Sequence, residues 1–560
     1  MKLGRAFLCA GILSLLAALM FAAVVRAQDH QHDHQHDTSE KLGQVSFPVS
    51  CQAATQPQFN RALALLHSFQ YVEAGQAFAE IAAREPSCAM AEWGVAMSRY
   101  HPLWALPTAA ELNSGREAIE RAQAARPPTP RERDYIAALA LFYQDSDNRS
   151  HYARARAYAA AMERLSRRYQ QDHEAAIFYA LALNGTAPAS EGNLANRQKA
   201  AQILYRLWPR EPQHPGIAHY LIHSYDYPQL ARLALPAARR YARVAPASAH
   251  ALHMPSHIFT RLGLWADSIQ SNLASAASAR QKVNKTHPGA AAQDQLHALD
   301  YLAYAYLQTA QDEKAKNVLA EALSYSAADQ EVFQAAYAWA AIPARLALER
   351  HRWTEAAALT LHPATFPWSR FQFAEAIMRF ARAIGAARSG NPAAASQEVE
   401  QLARIQQALS QTQSGYDWAT QVEIQRQAAA AWLAHAEGRN DEALQLLHKA
   451  AALEDTTDKH PVTPGAILPA REQLGDLLLE MKQPAQALKE FEAVLRFAPQ
   501  RFNSLYGAAR AAELSGQAKK ARAHYASLVA VCKHADSERA ELQAARTFLA
   551  QTQAMKTGGR

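Results

Sequence analysis

The sequence predicts an all-α protein built as an α-solenoid, a superhelix of helical hairpins stacked along the chain. From Phe59 onward Ala, Leu, Gln, Glu and Arg dominate, glycine is scarce, and no stretch alternates polar and apolar residues over the length of a strand. Small, aromatic and aliphatic positions also recur with a 34-residue spacing, as Ala487, Phe491, Val494 and then Ala521, Tyr525, Leu528. A fixed period of this kind is typical of repeat proteins, whose hairpins bury their apolar faces only by stacking.

The N-terminus has the pattern of a secretory signal peptide over residues 1–27. Basic residues precede the apolar run 6–25, and Val25-Arg26-Ala27 supplies a small-residue cleavage signal. Residues 28–45 follow as a predicted disordered linker, because the tract 29–37 has no apolar residue to bury. Its imidazoles can collect transition-metal ions loosely, or the tract can simply be a solubilising linker. We expect a periplasmic or secreted protein with no membrane span after cleavage.

Four helical segments are predicted after the linker: N-terminal hairpins over 46–125, central histidine-rich repeats over 126–345, helical repeats over 346–440 and C-terminal repeats over 441–560. Arg126-Pro127-Pro128 ends one helix, and Thr129-Pro130 with Glu132 begins the next as a capping box. Loops at 185–196, 282–290 and 455–465 lengthen individual units and can cover one face of the array.

The recurring residues carry a resemblance to a known repeat family. Ala74, Phe78, Ile81 and Pro86 show near the N-terminus the same set that recurs at the C-terminus. This pattern resembles the tetratricopeptide repeat (TPR). The resemblance implies degenerate TPR-like hairpins in a right-handed superhelix, with a concave groove that binds peptides or proteins. The whole chain also looks like exported bacterial repeat proteins of undefined activity.

The charge of the chain argues against a nucleic-acid partner, and its cysteines predict one disulfide. The formal charge is +7 with neutral histidines, and removing the leader cations Lys2, Arg5 and Arg26 leaves +4. Without a dense Lys/Arg stripe interleaved with aromatics, we expect no nucleic-acid partner. Cys51 and Cys88 flank one predicted hairpin, and in an oxidising compartment they are expected to form a disulfide.

The histidines of the central segment are spaced in register. His219 and His223 lie four residues apart, as do His253 and His257, and the two pairs are 34 residues apart. Two side chains at i and i+4 of an α-helix project from one face, so stacked repeats would bring the pairs side by side. Four more polar side chains extend these faces at helical spacing, namely Asp226, His250, His297 and Asp300. Together the eight are candidate ligands for a divalent transition metal such as Zn, Cu, Fe or Ni.

The TPR resemblance also assigns residues to the groove. Positions seven and eleven after each unit-closing residue are Trp93 and Met97, then Tyr179, and in the shifted next helix Tyr304. The groove is therefore expected to pass from aromatic residues into the histidine cluster.

Other polar and aromatic positions have two interpretations. Tyr416, Trp418, Gln421 and Gln425 either present polar groups to the groove or belong to an amphipathic helix with an aromatic anchor. His67 either continues the groove or, as we favour, packs inside the first hairpin.

Three explanations compete for the histidine cluster: a metal site, a site for anions or peptides, and a set of structural hydrogen bonds. His219 and His223 have the spacing of a zinc protease, but Tyr220 stands where the general base Glu would follow, so that motif fails. No catalytic residue is assigned. The function predicted is that of an exported binding or scaffold protein whose concave groove takes peptide, protein or small ligand. The alternative is a transition-metal protein or a metal-assisted hydrolase using Asp226 or Asp300.

Overall fold

The computed structural model describes residues 41–103, 106–186, 194–412 and 415–557. Within these ranges the chain forms α-helices and short 3-10 helices and no β-strand. A single isolated parallel bridge joins Ala291 and Ala328 in the described part. The described residues from Leu42 onward pack as one compact unit. The predicted all-α class is confirmed.

The helices follow one another with short connections. In order, the α-helices span Gln56–His67, Tyr71–Arg84, Ala89–Tyr100, Ala109–Ala124, Pro130–Tyr143, His151–Arg168, His173–Asn184, Leu194–Leu207, Pro215–Tyr225, Leu235–Val244, Ala249–His253, Pro255–Arg261, Trp265–Thr286, Gln293–Gln308, Asp312–Leu323, Phe333–Glu349, Trp353–Ala357, Gln372–Arg388, Pro392–Ser410, Trp418–Ala436, Asn440–Glu454, Ala470–Glu480, Pro484–Phe497, Phe502–Leu514, Ala518–Val531 and Ala540–Thr557. The 3-10 helices span Ala53–Thr55, Ala231–Ala234 and Trp368–Arg370.

Most helices pack mainly against their neighbours in sequence, and helix Phe333–Glu349 packs instead against Gln293–Gln308 and Gln372–Arg388. Packing between successive elements is the arrangement of an α-solenoid. The recurring small and aromatic positions form the contacts between paired helices. A β-carbon added at Gly94 would lie 2.4 Å from the ring of Phe78. Near the C-terminus Gly475 and Gly507 approach the ring of Phe491 in the same way. The hairpins are therefore TPR-like, with an aromatic ring filling the space that small residues leave between helices.

The predicted boundary near residue 126 is present. One helix ends at Ala124 and the next begins at Pro130. The backbone N–H of Glu132 donates to Thr129 Oγ1 at 3.2 Å, which satisfies one of the free donors of the first turn. The proline at the first helical position loses no hydrogen bond there. Thr129 thus caps this helix, while the Glu132 carboxylate accepts from Ser50 N–H and Oγ at 2.6 Å instead of closing the predicted capping box.

The N-terminal segment is ordered earlier than the sequence suggests. The predicted signal peptide and residues 28–40 lie outside the described residues. From Leu42, however, the chain is packed, and Gln44 N–H donates to Gln213 O at 2.9 Å. The linker prediction is therefore wrong for residues 42–45, because Leu42 and the fully buried Phe47 supply the apolar surface that the tract before them lacks.

A disulfide joins Cys51 and Cys88, the pair expected from the sequence. It ties the segment before the first helix to the start of helix Ala89–Tyr100. Among the described helices, none is both long and apolar enough to cross a membrane.

Several contacts join residues far apart in the chain. Lys459 Nζ lies 3.2 Å from Asp226 Oδ2, across 233 positions of sequence. Trp265 Nε1 donates to Gln500 O at 3.0 Å across 235 positions. Lys459 belongs to the connection between helices Asn440–Glu454 and Ala470–Glu480, where the sequence predicts a long loop. The C-terminal repeats thus contact the helices that carry the histidines.

Candidate metal centre

The central histidines form two groups of three. The first histidine site consists of His219, His223 and His250, and the second consists of His253, His257 and His297. In each group the ring nitrogens that face one another all lie within 4.8 Å. Three nitrogens around a tetrahedral ion at about 2.05 Å would be about 3.3 Å apart, so both groups are close to the spacing of metal ligands.

The first site is centred on His219. His223 Nε2 and His250 Nε2 each lie 3.0 Å from His219 Nε2. On its other side, His219 Nδ1 is 2.7 Å from the backbone carbonyl oxygen of His67, which can only accept a hydrogen bond. His219 therefore carries its proton on Nδ1 and directs the lone pair of Nε2 at the two neighbouring imidazoles.

The second site has the same design with different partners. His253 Nδ1 lies 2.6 Å from Asn272 Oδ1, and His257 Nδ1 lies 3.0 Å from Asp226 Oδ2. Both Nδ1 atoms therefore donate, and the two Nε2 atoms face each other at 3.0 Å. His297 completes the group, with its ring centroid 4.1 Å from that of His253.

The chain keeps His253 and His257 on one face although their helix is interrupted. The helices Ala249–His253 and Pro255–Arg261 meet at Met254, because Pro255 has no N–H to donate. Met254 nevertheless keeps right-handed helical angles, with φ −51° and ψ −35°. The i, i+4 spacing on which the sequence argument depends is therefore preserved across the break.

The described residues also contain a third group that the sequence did not predict as a unit, formed by His67, Glu174 and His214. Glu174 accepts from His67 Nε2 at 3.0 Å and from His214 Nε2 at 2.8 Å, and His67 Nδ1 contacts Tyr220 Oη at 2.8 Å. Because both ring nitrogens of His67 have partners, this group is hydrogen-bonded internally and holds the His67 carbonyl against His219. His67 packs inside, as favoured from the sequence.

Burial keeps the six imidazoles in the neutral form that binds metals. It lowers the pKa of every one of them, that of His219 to about 3. Neighbouring imidazoles lower the pKa of His223 and His297 further, while the Asp226 carboxylate acts in the opposite direction on His257.

The two sites are adjacent. The ring centroids of His223 and His257 lie 6.4 Å apart, and His250 lies on the same short helix as His253 while belonging to the other site. A cavity of about 20 Å³, room for about one water molecule, reaches His223 between Arg261 and Lys459. One water molecule therefore has room beside His223.

Asp226 supports the site and is not placed as a ligand. Its carboxylate accepts from His257 Nδ1, from Arg261 Nε at 2.9 Å and from Lys459 Nζ at 3.2 Å. Although burial raises the pKa of this carboxyl, Lys459 and Arg261 hold it well below its usual range. Three donors hold its oxygens beside His257, and it is not grouped with the imidazole nitrogens, so its role as a metal ligand stays a prediction.

Asp300 also lies apart from the imidazole nitrogens. Its Oδ1 accepts from Arg345 Nε at 3.1 Å, and burial raises the pKa of its carboxyl to about 6. The i, i+3 spacing from His297 is real, but the side chain turns to the fully buried guanidinium of Arg345. Its Oδ2 is buried and has no hydrogen-bond partner among the described residues, so the role of Asp300 as a metal ligand stays a prediction.

The predicted groove residues lie in the interior. Trp93 is fully buried, and the ring of Phe47 from the N-terminal segment stacks on it at 5.7 Å. Met97 is buried against Tyr158 Oη at 3.7 Å. The chain's own N-terminal segment thus fills the surface where an open groove was expected at Trp93.

The other two groove residues, Tyr179 and Tyr304, are also buried, with 5% and 4% of their surface exposed. Tyr304 accepts from Arg501 Nη1 at 3.2 Å and borders a large cavity in the C-terminal half. That cavity, described below, also includes Tyr416, Trp418, Gln421 and Gln425, which the sequence offered as groove residues.

No family model and no curated protein matches this chain. Among solved structures, it is similar to a human IFIT1 dimer with PPP-AAAA, at 11% identity and a TM-score of 0.39, over 79% of this chain and 90% of that one. It is also similar to yeast Tom70, at 10% identity and a TM-score of 0.34, over 90% of this chain and 96% of that one. The geometry of this protein itself defines it as a TPR-like α-solenoid with paired three-histidine sites.

Proposed function

We propose that the protein binds transition-metal ions at the two adjacent histidine sites. The observation that carries this proposal is the pair His253 and His257. Both donate their Nδ1 protons to acceptors, so the lone pairs of their Nε2 atoms face each other at 3.0 Å with no proton between them. Two acceptors at that distance repel each other, and a cation bound by both removes the repulsion.

The first histidine site supports the same proposal. The single Nε2 lone pair of His219 accepts one hydrogen bond in line, yet two imidazole nitrogens lie 3.0 Å from it. Three nitrogens that converge on one point are the donor set of a metal ion. The partners on the far side of each ring, His67 O for the first site and Asn272 or Asp226 for the second, are the outer hydrogen bonds that typically orient metal-binding histidines.

Neutral imidazoles suit Cu, Zn, Ni and Fe, and three of them leave a fourth coordination position for water or another small ligand. Asp226 is held by Arg261 and Lys459, whereas Asp300 pairs with Arg345 through Oδ1 and its buried Oδ2 has no hydrogen-bond partner among the described residues. We assign neither carboxylate as the base of a hydrolase. The metal-binding interpretation therefore stands without an assigned catalytic residue.

The proposal is tested by elemental analysis of untagged protein in which His30, His32, His34 and His36 are replaced by serine. After loading with Zn²⁺ or Cu²⁺ and dialysis, we expect two tightly held ions per chain, and one in His219→Ala or His253→Ala. The matched control is His435→Ala, a half-buried histidine that pairs with Glu480 far from the sites. Fewer than one ion per chain in the protein with intact central histidines would refute the proposal.

A further inference from the structure

A cavity in the C-terminal half is separate from the nitrogens of the two histidine sites. It has a volume of about 440 Å³, within the range of small-molecule sites. Helices Phe333–Glu349, Gln372–Arg388 and Trp418–Ala436 line it together with the connection after Glu454. Its aromatic lining includes Tyr304, Phe373, Tyr416, Trp418 and His460.

One wall of this cavity is a layer of flat rings. Phe373 stacks on Trp418 with centroids 4.4 Å apart and planes inclined by 18°, and Trp418 stacks on His460 at 5.2 Å and 19°. Phe373 and Trp418 are only partly buried, so part of each ring faces the cavity. Aromatic rings pair with one another in offset stacks, so a flat ring is the shape that this wall receives best.

The polar lining of the cavity includes an acceptor that lacks a hydrogen-bond donor. Gln425 Oε1 has no hydrogen-bond partner among the described residues, although it is shielded from solvent. Glu454 also lines the cavity, where it accepts from Ala470 N–H at 2.9 Å. A shielded acceptor without a donor costs free energy, so a ligand that donates to it is favoured.

The charged groups at the edge of the cavity are already paired. Arg261 is held by Asp226 and by both oxygens of Asp458, at 2.9 and 2.8 Å. Lys459 contacts Asp226. Among the described lining residues no unpaired cation is left to recognise an anionic ligand, and burial favours the neutral form of the unpaired Glu454 carboxyl, so the lining favours a neutral ligand.

We propose that this cavity binds one neutral aromatic small molecule carrying a hydroxyl or amino donor, stacked on Trp418 and Phe373 and donating to Gln425. Arg261 and Lys459 line both this cavity and the small cavity at His223. The bound molecule therefore lies next to the two side chains that hold Asp226 beside the second histidine site. The binding site does not depend on bound metal and goes beyond the proposed function.

The test uses 2-naphthol as the probe, titrated into the full chain and followed by calorimetry. We expect saturable binding of one molecule per chain. Trp418→Ala should weaken it at least about fivefold through the lost stacking, and Gln425→Leu by about as much through the lost hydrogen bond. The matched control is Trp208→Ala, which removes a half-buried tryptophan that contacts Tyr205 and Arg240 outside the cavity.

A second probe separates stacking from hydrogen bonding. 2-Methoxynaphthalene keeps the rings and loses the donor, so it should bind more weakly than 2-naphthol to the unmodified chain and equally to Gln425→Leu. Circular dichroism checks that each variant folds, and Phe373→Leu replaces Trp418→Ala if the latter does not. Absence of 2-naphthol binding, or binding that neither wall variant changes, would overturn the proposal. So would equal affinity of both probes for the unmodified chain.

Discussion

Asn272 provides the sharpest test of how the second histidine site is organised. Its Oδ1 lies 2.6 Å from His253 Nδ1, and its own amide is fixed by donation to Ser268 O at 2.8 Å. Asn272→Leu keeps the volume of the side chain and removes the acceptor. The proton of His253 is then no longer held on Nδ1, and the tautomer with a protonated Nε2 cannot bind a metal ion through the nitrogen that faces His257.

The size of the effect follows from the role of such outer partners. Their loss typically weakens metal binding about 10- to 100-fold, equivalent to about 1.4–2.7 kcal/mol. Only the second site should lose affinity, because His219 is oriented by the carbonyl of His67 on another helix. A Zn²⁺ titration in competition with a chromophoric chelator resolves the two affinities within one protein, so the first site is an internal reference.

The matched control is Ser275→Ala on the same helix. Ser275 is buried and donates to Ala249 O at 2.8 Å, but it contacts no imidazole, so its loss should change stability without changing either affinity. Two results would refute the reasoning: an unchanged second-site affinity in Asn272→Leu, or an equal loss at both sites.

Three further outcomes are expected. Two Cu²⁺ ions per chain should give an electron paramagnetic resonance spectrum broadened by their proximity, and His253→Ala should restore the narrow spectrum of an isolated ion; identical line widths would place the ions far apart. Burial raises the pKa of Glu454 from 4.5 to about 7, so the folded state binds more protons than the unfolded one between these values and stability falls as pH rises through them. Urea unfolding at pH 4.5 and 7 should show that Glu454→Gln removes part of this fall, and an unchanged pH dependence would contradict it. In urea unfolding, Gly507→Ala should destabilise the C-terminal repeats by about 1–3 kcal/mol, because its β-carbon would lie 2.4 Å from Phe491. The double variant with Phe491→Leu should lose less stability than the sum of the two single losses, and a full sum would show that the ring is not the obstacle.

The course of the helices and the histidine pairs could be predicted because both depend on local spacing. A 34-residue period and an i, i+4 interval do not depend on how the helices pack. Even the break at Pro255 leaves His253 and His257 on one face. The capped start at Pro130 is local in the same sense.

The division of the histidines into two sites could not be predicted in this way. His250 shares a helix with His253 but completes the site of His219, which depends on how neighbouring repeats are rotated. The partner that orients His219 is the backbone carbonyl of His67. Every residue has such a carbonyl, so the sequence does not indicate which one faces the imidazole.

The features that sequence spacing could not predict share a cause. Asp226 has the right spacing for a ligand, yet it is held by Lys459, which is distant in sequence and adjacent only after folding. Trp93 has the right register for a groove, yet Phe47 from a segment before the first repeat covers it. Periodicity indicates which face a residue lies on, but what covers that face depends on the whole fold.

The long-range contacts of the connection at Lys459 change how this solenoid should unfold. In an open array each repeat contacts only its neighbours, so the ends fray independently and the loss of one end leaves the other intact. Here the C-terminal repeats hold Arg261 through Asp458 and Asp226 through Lys459. Melting of those repeats would remove Asp458 and Lys459 from the buried Arg261–Asp226 pair beside the second histidine site, so the centre and the C-terminal end should unfold in a single cooperative step.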